Sequence, residues 1–452
     1  MLDIGPSGAG PSSGSVGGNR PAAGLRVAVI GAGAAGLAAA WRLADDPGVA
    51  VTSYEASAHP GGHAHTVTID TSVGPRAVDT GFMVYNERNY PQFTALLAAL
   101  GVETRPSDMS FAVSLDDGAL EYAGSRRLST MLAQKSNLLH PRFWRMVRDI
   151  VRFNREAAQL DDSASLGEVL ATAGYSEGFV QDHLLPMVAC IWSVPIEEAA
   201  SFPFRSVRAF FANHGLLELR DRPEWRVVKG GSETYVRRML AMRPIATRLA
   251  TPVRGIERRG HGVIVHTATG EAILHDAVIM ATHADTTLTL LEQPSAAERA
   301  FLGAQRYANN IGYLHSDVRL MPVRRAAWAS WNYLGRRGGG RGSAVAVTYW
   351  LNRLQGLDCP EPVFLSLNPE RPPFEAMTWR RLEFRHPLLS HDPLARRPAL
   401  DELQGGRHTW YCGSYVGYGF HEDAIASGFA AADSVRTRFA VATDHGRVSA
   451  HA

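Results

Sequence analysis

Residues 25–55 read LRVAVIGAGAAGLAAAWRLADDPGVAVTSYE, and the fold follows from them. Leu25–Ile30 is an unbroken apolar run, the pattern of a strand buried on both faces of a parallel sheet. Gly31-Ala32-Gly33-Ala34-Ala35-Gly36 follows, then an Ala-rich helix over Leu37–Leu43 and a second strand over Val49–Tyr54. Gly31 permits the tight strand-to-helix turn, Gly33 lets backbone N–H groups approach a pyrophosphate, and Gly36 allows helix and strand to pack closely. The positive end of the helix meets the phosphates, with Ala34 and Ala35 at that approach. Glu55 stands nineteen residues after Gly36 at the end of the second strand. A carboxylate there hydrogen-bonds a ribose diol and repels a 2′-phosphate. A glycine string alone is a weak sign. Flanked by a buried strand and a helix, with an acid at this spacing, it predicts a dinucleotide site.

The bulk numbers set the frame around this unit. A chain of 452 residues exceeds one simple core and predicts two domains. It is 45% hydrophobic and 20% charged, with a formal net charge of +2, which argues against a nucleic-acid partner. Lys135 and Lys229 are the only lysines, so little lysine chemistry is available. Cys190, Cys359 and Cys412 lack C-x-x-C spacing, which predicts neither a disulfide framework nor a zinc site and fits a reducing, cytoplasmic setting. Residues 1–24 are rich in Gly, Ser, Pro and Ala without a basic-then-apolar leader, and predict a disordered tail; 441–452 read as a second, flexible tail. The glycine turn, with Arg26 and Arg42 near its ends, makes 25–44 a strand–turn–helix and not a membrane span.

Farther along, apolar residues recur at helical spacing over Pro91–Leu100, Leu128–Leu160 and 199–219. Strand signals return at Arg248–Arg254, Gly262–Thr267 and Asp276–Ala281, then at 344–349, Val363–Leu367 and His408–Cys412; a last helix spans Glu422–Arg438. The expected fold class is α/β. A Rossmann-type nucleotide domain is assembled from 25–88, 225–290 and 405–440, and a mixed α+β substrate domain from 89–224 and 291–404.

Several further segments bear on the cofactor. Gly61-Gly62-His63-Ala64-His65-Thr66 follows Glu55; Val78-Asp79-Thr80-Gly81-Phe82 comes next; Val253 lies in Arg248–Arg254; Thr282 follows directly on the DAVIMA strand. Near the C-terminus, Tyr411-Cys412-Gly413-Ser414 leads to Gly417-Tyr418-Gly419-Phe420-His421-Glu422-Asp423-Ala424 and then Ser427-Gly428. In this order the segments resemble the amine-oxidase superfamily of flavoproteins, which has an amine-oxidase-like two-domain architecture. The resemblance implies non-covalent FAD held from both chain ends. Gly61, Gly62, His63, His65 and Thr66 would line it, and Thr80, Gly81 and Phe82 would pass the isoalloxazine ring. Val253 would hold the adenine through its backbone, and Thr282 would stand near the pyrophosphate. Gly413, Ser414, Phe420, His421, Asp423 and Ala424 would form the flavin end, where the helix start aims its N–H groups at the O2/N1 edge. His63 stands where the superfamily has arginine, Ser414 where it has an acid, and neither lysine matches its flavin-bridging lysine.

A narrower resemblance, carried by DTGFMVYNERNYPQF (79–93), IWSVP (191–195), VKGGSETYV (228–236) and CGSYVGYGFHEDAIASG (412–428), is to NAD/FAD-binding proteins often encoded beside cyclopropane-fatty-acid synthases. It implies redox chemistry on an unsaturated or methylated fatty acyl chain, namely desaturation, saturation or isomerisation. Amine oxidation is the alternative enzyme reading, and a non-catalytic FAD-binding partner of a lipid methyltransferase is the non-enzyme one. Candidates for proton handling are the pair His315 and Asp317, expected on one side of a strand, together with His214, Tyr418, His421 and Glu422. His63 and His65 have no third or fourth partner in view, so no metal site is expected. The arginine-interleaved stretch 142–155 is a candidate for peripheral membrane contact, with a solvated helix face as the plainer explanation.

Overall fold

The computed structural model describes residues 24–124, 128–218, 222–337, 346–388 and 392–439. Both expected tails therefore lie almost wholly outside the described residues. Leu25–Ile30 forms the middle of a five-stranded, all-parallel sheet ordered Ile245–Arg248, Val49–Tyr54, Leu25–Ile30, Ala277–Met280, Thr409–Tyr411. Strand alternation explains its unbroken hydrophobicity. Val27 and Val29 enter one core with Leu37 and Ile425, whereas Ala28 and Ile30 enter another with Ile256, Val265 and Tyr411.

On the first face the helices Ala34–Leu43 and His421–Arg438 lie against each other. A Cβ on Gly428 would stand 2.2 Å from the Ala35 carbonyl oxygen, so the close approach depends on glycine. The other face is covered by an antiparallel sheet of Val253–Arg259, Gly262–Thr267 and Ala272–His275. A separate seven-stranded sheet runs in the order Thr378–Pro387, Tyr307–His315, Phe364–Leu367, Ala346–Trp350, Trp331–Gly335, Phe111–Leu115, Leu120–Gly124. Its core takes in Phe143, Met146, Phe179 and Phe204 from the helical stretches, packed with Val113, Leu314 and Val347 from the strands. Among the described residues no helix is long and apolar enough to cross a membrane.

Three expectations are corrected. The first helix begins at Ala34 and not Leu37; Leu37 N–H already donates to the Gly33 carbonyl at 2.9 Å. The single strand expected at Arg248–Arg254 is the corner between two. Ile245–Arg248 ends, Ala250 turns with φ +48°, and Val253–Arg259 starts in a different sheet. Finally, 128–160 divides into Leu128–Met131, a 3₁₀ turn Lys135–Leu139 and the helix Pro141–Glu156. Pro141 lacks an N–H, so it suits a first helical position and not an interior one.

Candidate functional site

Three backbone segments meet at the first glycine turn. Gly31 adopts φ +101° and lies under the Ala281 carbonyl and the Thr282 methyl group. Gly61 N–H donates to the Ala32 carbonyl at 2.7 Å, and Gly61 and Gly33 form a parallel bridge, which lays Gly61-Gly62-His63 along the turn. A Cβ on Gly36 would lie 1.9 Å from the Gly31 carbonyl oxygen. A Cβ on Gly33, by contrast, would meet no atom nearer than Gly62 Cα at 4.0 Å, so the space above Gly33 is open. Gly33 offers no side chain to cap the Ala34–Leu43 helix, and the N–H groups of its first turn face that space without a side-chain acceptor. Glu55 closes the far side, its carboxylate accepting from Ala32 N–H at 2.7 Å and Ser57 N–H at 2.9 Å. Val253 starts its strand just after the corner 249–252, whose Ala250 and Thr251 N–H groups donate to the Ser57 and Glu55 carbonyls. Both therefore stand at one end of the cradle.

The opposite wall is a group of histidines. His63 is partly buried, and its enclosed Nε2 has no hydrogen-bond partner. Its ring centroid lies 5.5 Å from that of His386, 6.3 Å from His283 and 6.1 Å from Phe384. His283 stacks on Tyr307 at 4.5 Å. Burial, reinforced by the neighbouring imidazoles, pushes His386 down to about 3 and His283 to about 4, and burial with His65 nearby lowers His63. The wall is thus neutral at ordinary pH. His65 and Thr66 are used locally: His65 Nδ1 is 3.1 Å from Thr80 Oγ1, and the Thr66 hydroxyl donates to Asp79 at 2.6 Å. Thr66 therefore serves its own hairpin and the Glu233–Met242 helix, whose Glu233 N–H it accepts, in place of a side-chain contact to the cofactor.

The C-terminal block completes the enclosure. Phe82, whose N–H donates to the His63 carbonyl at 2.7 Å, stacks on His421 with centroids 3.7 Å apart. His421 Nε2 lies 3.0 Å from the Tyr235 hydroxyl, and burial lowers its pKa to about 3. Asp423 accepts the Phe420 N–H at 2.8 Å at the start of the His421–Arg438 helix; burial raises its pKa to about 7. Gly413 N–H donates to Ser427 Oγ, and the Ser414 carbonyl accepts the N–H groups of Gly417 and Gly419, which pins the loop over the helix start. Phe420 stacks on Phe210 at 4.6 Å and lies 6.0 Å from Trp192 and 5.7 Å from His214. The His214 Nδ1 lies 2.9 Å from the Phe210 carbonyl, which only accepts, so Nδ1 carries the hydrogen and Nε2 keeps a lone pair.

Residues 34–366 match the model of the flavin containing amine oxidoreductase family. The chain belongs to this family. It is a FAD-dependent oxidoreductase of the amine-oxidase type. Solved structures share the fold at low identity. Cyclohexylamine oxidase from Brevibacterium oxydans IH-35A has a TM-score of 0.67 at 16% identity, covering 92% of this chain and 100% of that one. Putrescine oxidase gives 0.63 at 16%, covering 92% and 100%. The CLA-producing fatty acid isomerase from P. acnes gives 0.63 at 15%, covering 92% and 98%.

The residues present fit FAD: open space above Gly33, a bare helix start, Glu55 at the ribose end and an unpartnered His63 Nε2 within the histidine wall. Two of the expected proton-handling assignments are corrected in this flavin oxidoreductase. The strand ends at His315, so Asp317 is not paired with it across one strand face. The Asp317 carboxylate binds Arg319, while its backbone N–H donates to His315 Nδ1 at 3.0 Å; His315 Nε2 meets Ser366 Oγ at 2.8 Å. Tyr307, at the start of that strand, touches the histidine wall, and His315 is eight residues further, about 26 Å away. Both residues are held by local hydrogen bonds and an ion pair in the seven-stranded sheet and the turn that follows its strand. Glu422 also has another task, accepting the Gln92 and Phe93 N–H groups at 2.8 and 3.0 Å and so capping the Pro91–Ala99 helix. Tyr418 is half-buried; its carbonyl accepts the Trp192 indole N–H, and its ring packs beside Phe420 against the larger core. Lys229 pairs with Glu103 at the surface, and Lys135 is exposed, so neither belongs to the site. The histidines 283 and 386 and Tyr307 are additions. Their only sequence signal was His283 following Thr282.

Proposed function

We propose that this oxidoreductase acts on an apolar substrate, an unsaturated or methylated fatty acyl chain, by desaturation, saturation or isomerisation. When bound, FAD supplies a hydride acceptor and donor at N5. One observation carries the reading. The aromatic group Trp192, Phe210, Tyr418 and Phe420 joins the flavin-facing C-terminal block to the large apolar core, and among the described residues the acids nearest Tyr418 are already engaged, Asp392 with Arg205. Glu422 and Asp423, the adjacent acids, are both taken up by backbone N–H groups, and Asp423 is half-neutral near pH 7. The chain's residues would exclude water and orient the substrate. His214 Nε2, in contact with the aromatic group and kept unprotonated down to about pH 4 by burial, is placed to hold or take a proton. A fatty acid isomerase among the proteins of the same fold and the sequence resemblance to neighbours of cyclopropane-fatty-acid synthases support the substrate class.

Total lipid extracts from cells with and without the protein, with and without a co-expressed lipid methyltransferase, test this by mass spectrometry. Acyl chains should change by a pair of hydrogens or by the position of a double bond. Unchanged lipids, combined with prompt flavin bleaching and peroxide release on adding amines, would replace the reading with amine oxidation. A flavin that no physiological donor reduces would make the protein a scaffold.

A further inference from the structure

The helix Pro141–Glu156 turns Phe143, Met146, Asp149 and Phe153 inward. Its outer face carries Trp144 and Val151, 48% and 39% exposed, among Arg145, Arg148 and Arg155. The preceding turn adds Leu138 and Leu139, 45% and 83% exposed. The Trp144 indole N–H donates to the Leu138 carbonyl at 3.0 Å, which fixes the tryptophan against the leucines as one apolar patch. Large apolar side chains clustered in this way on a surface mark a site of contact.

The surrounding charge selects the partner. From 135 to 155 there are six basic residues and one acid, Asp149, which is buried. Arg142 turns to Asp182 and Glu177, Arg148 to Asp149, and Arg152 to Glu156. Among the described residues Lys135, Arg145 and Arg155 have no ion pair, and all three are exposed. Unpaired cations around protruding leucines and a tryptophan suit a surface that is anionic outside and apolar just beneath. We infer that this face docks on a bilayer containing anionic phospholipid. Its inner side belongs to the apolar core against which Tyr418 and Phe420 pack, so the docked helix and the flavin-side aromatics bound one apolar body. The inference rests on this surface alone and survives if the substrate is not a lipid.

Flotation of the FAD-loaded full-length protein with vesicles tests it. Vesicles of phosphatidylcholine with about one third phosphatidylglycerol should carry the protein upward, pure phosphatidylcholine should carry much less, and salt should release it. The double variant Leu139→Ser/Trp144→Ser should lose flotation. Arg145→Ala/Arg155→Ala should weaken it about fivefold for each charge removed. Unchanged circular dichroism and FAD content would show that both variants fold. Three results would overturn the inference: no flotation at low salt, undiminished flotation of the Leu139→Ser/Trp144→Ser variant, or a dimer in solution that this variant dissociates, which would make a second copy the occupant.

Discussion

Gly36→Val is expected to yield protein without FAD. The cause is local and leaves no room for relief, because the Cβ would stand 1.9 Å from the Gly31 carbonyl oxygen and 3.1 Å from the Ala281 Cβ. The first obstacle is backbone at the turn that must cradle the phosphates, and the second belongs to the neighbouring strand of the same sheet. The helix would have to move off the sheet, carrying the N–H groups of Ala34 and Ala35 with it. Its partner, the His421–Arg438 helix, is held through the Gly428 contact and would shift as well. Overpacking of a buried, well-packed position costs about 1–3 kcal/mol, and here the lost cofactor adds to it. Flavin absorbance of the purified variant and its thermal midpoint measure both effects. A variant with normal flavin content would show that the turn does not set the cofactor's position.

His63→Asp carries the second large effect. The ring is partly buried, its Nε2 enclosed and unpartnered, with neutral imidazoles for neighbours. An aspartate placed there would lie among neutral imidazoles, and it would face a diphosphate across a site of low polarity. FAD affinity should fall at least about a hundredfold, equivalent to about 2.7 kcal/mol. His63→Asn keeps a donor and should lose about tenfold or less. Titration of apoprotein with FAD, followed by flavin fluorescence, separates the two. Equal affinity for both variants would place position 63 away from the phosphates.

The parts legible in the sequence were those whose physics is local. A buried strand, a glycine turn and an acid at the next strand end lie within residues 25–55, and their roles depend on one turn and one pairing. The C-terminal block was legible for the same reason, since capping and loop closure act over a few residues. The parts that were not legible depend on register. His386 reaches His63 because Ala308 pairs with His386 on the strand that starts at Tyr307, beside His283, and no spacing along the chain announces that pairing. The misreading of His315 and Asp317 has the converse cause. The i, i+2 rule holds inside a strand, and the strand stopped between them. Glu422 looked catalytic because its helix was known, while the Pro91–Ala99 helix that it caps was not known to be its neighbour.

We expect the FAD site to be closed from both ends of the chain without a covalent bond to the flavin. Acid precipitation of the purified protein, with the flavin in supernatant and pellet identified and counted by mass spectrometry, tests it most directly. About one FAD per chain should appear intact in the supernatant, and none should remain on the peptide. Flavin retained on the pelleted protein, or protein purified with no flavin and unable to take it up, would contradict the account.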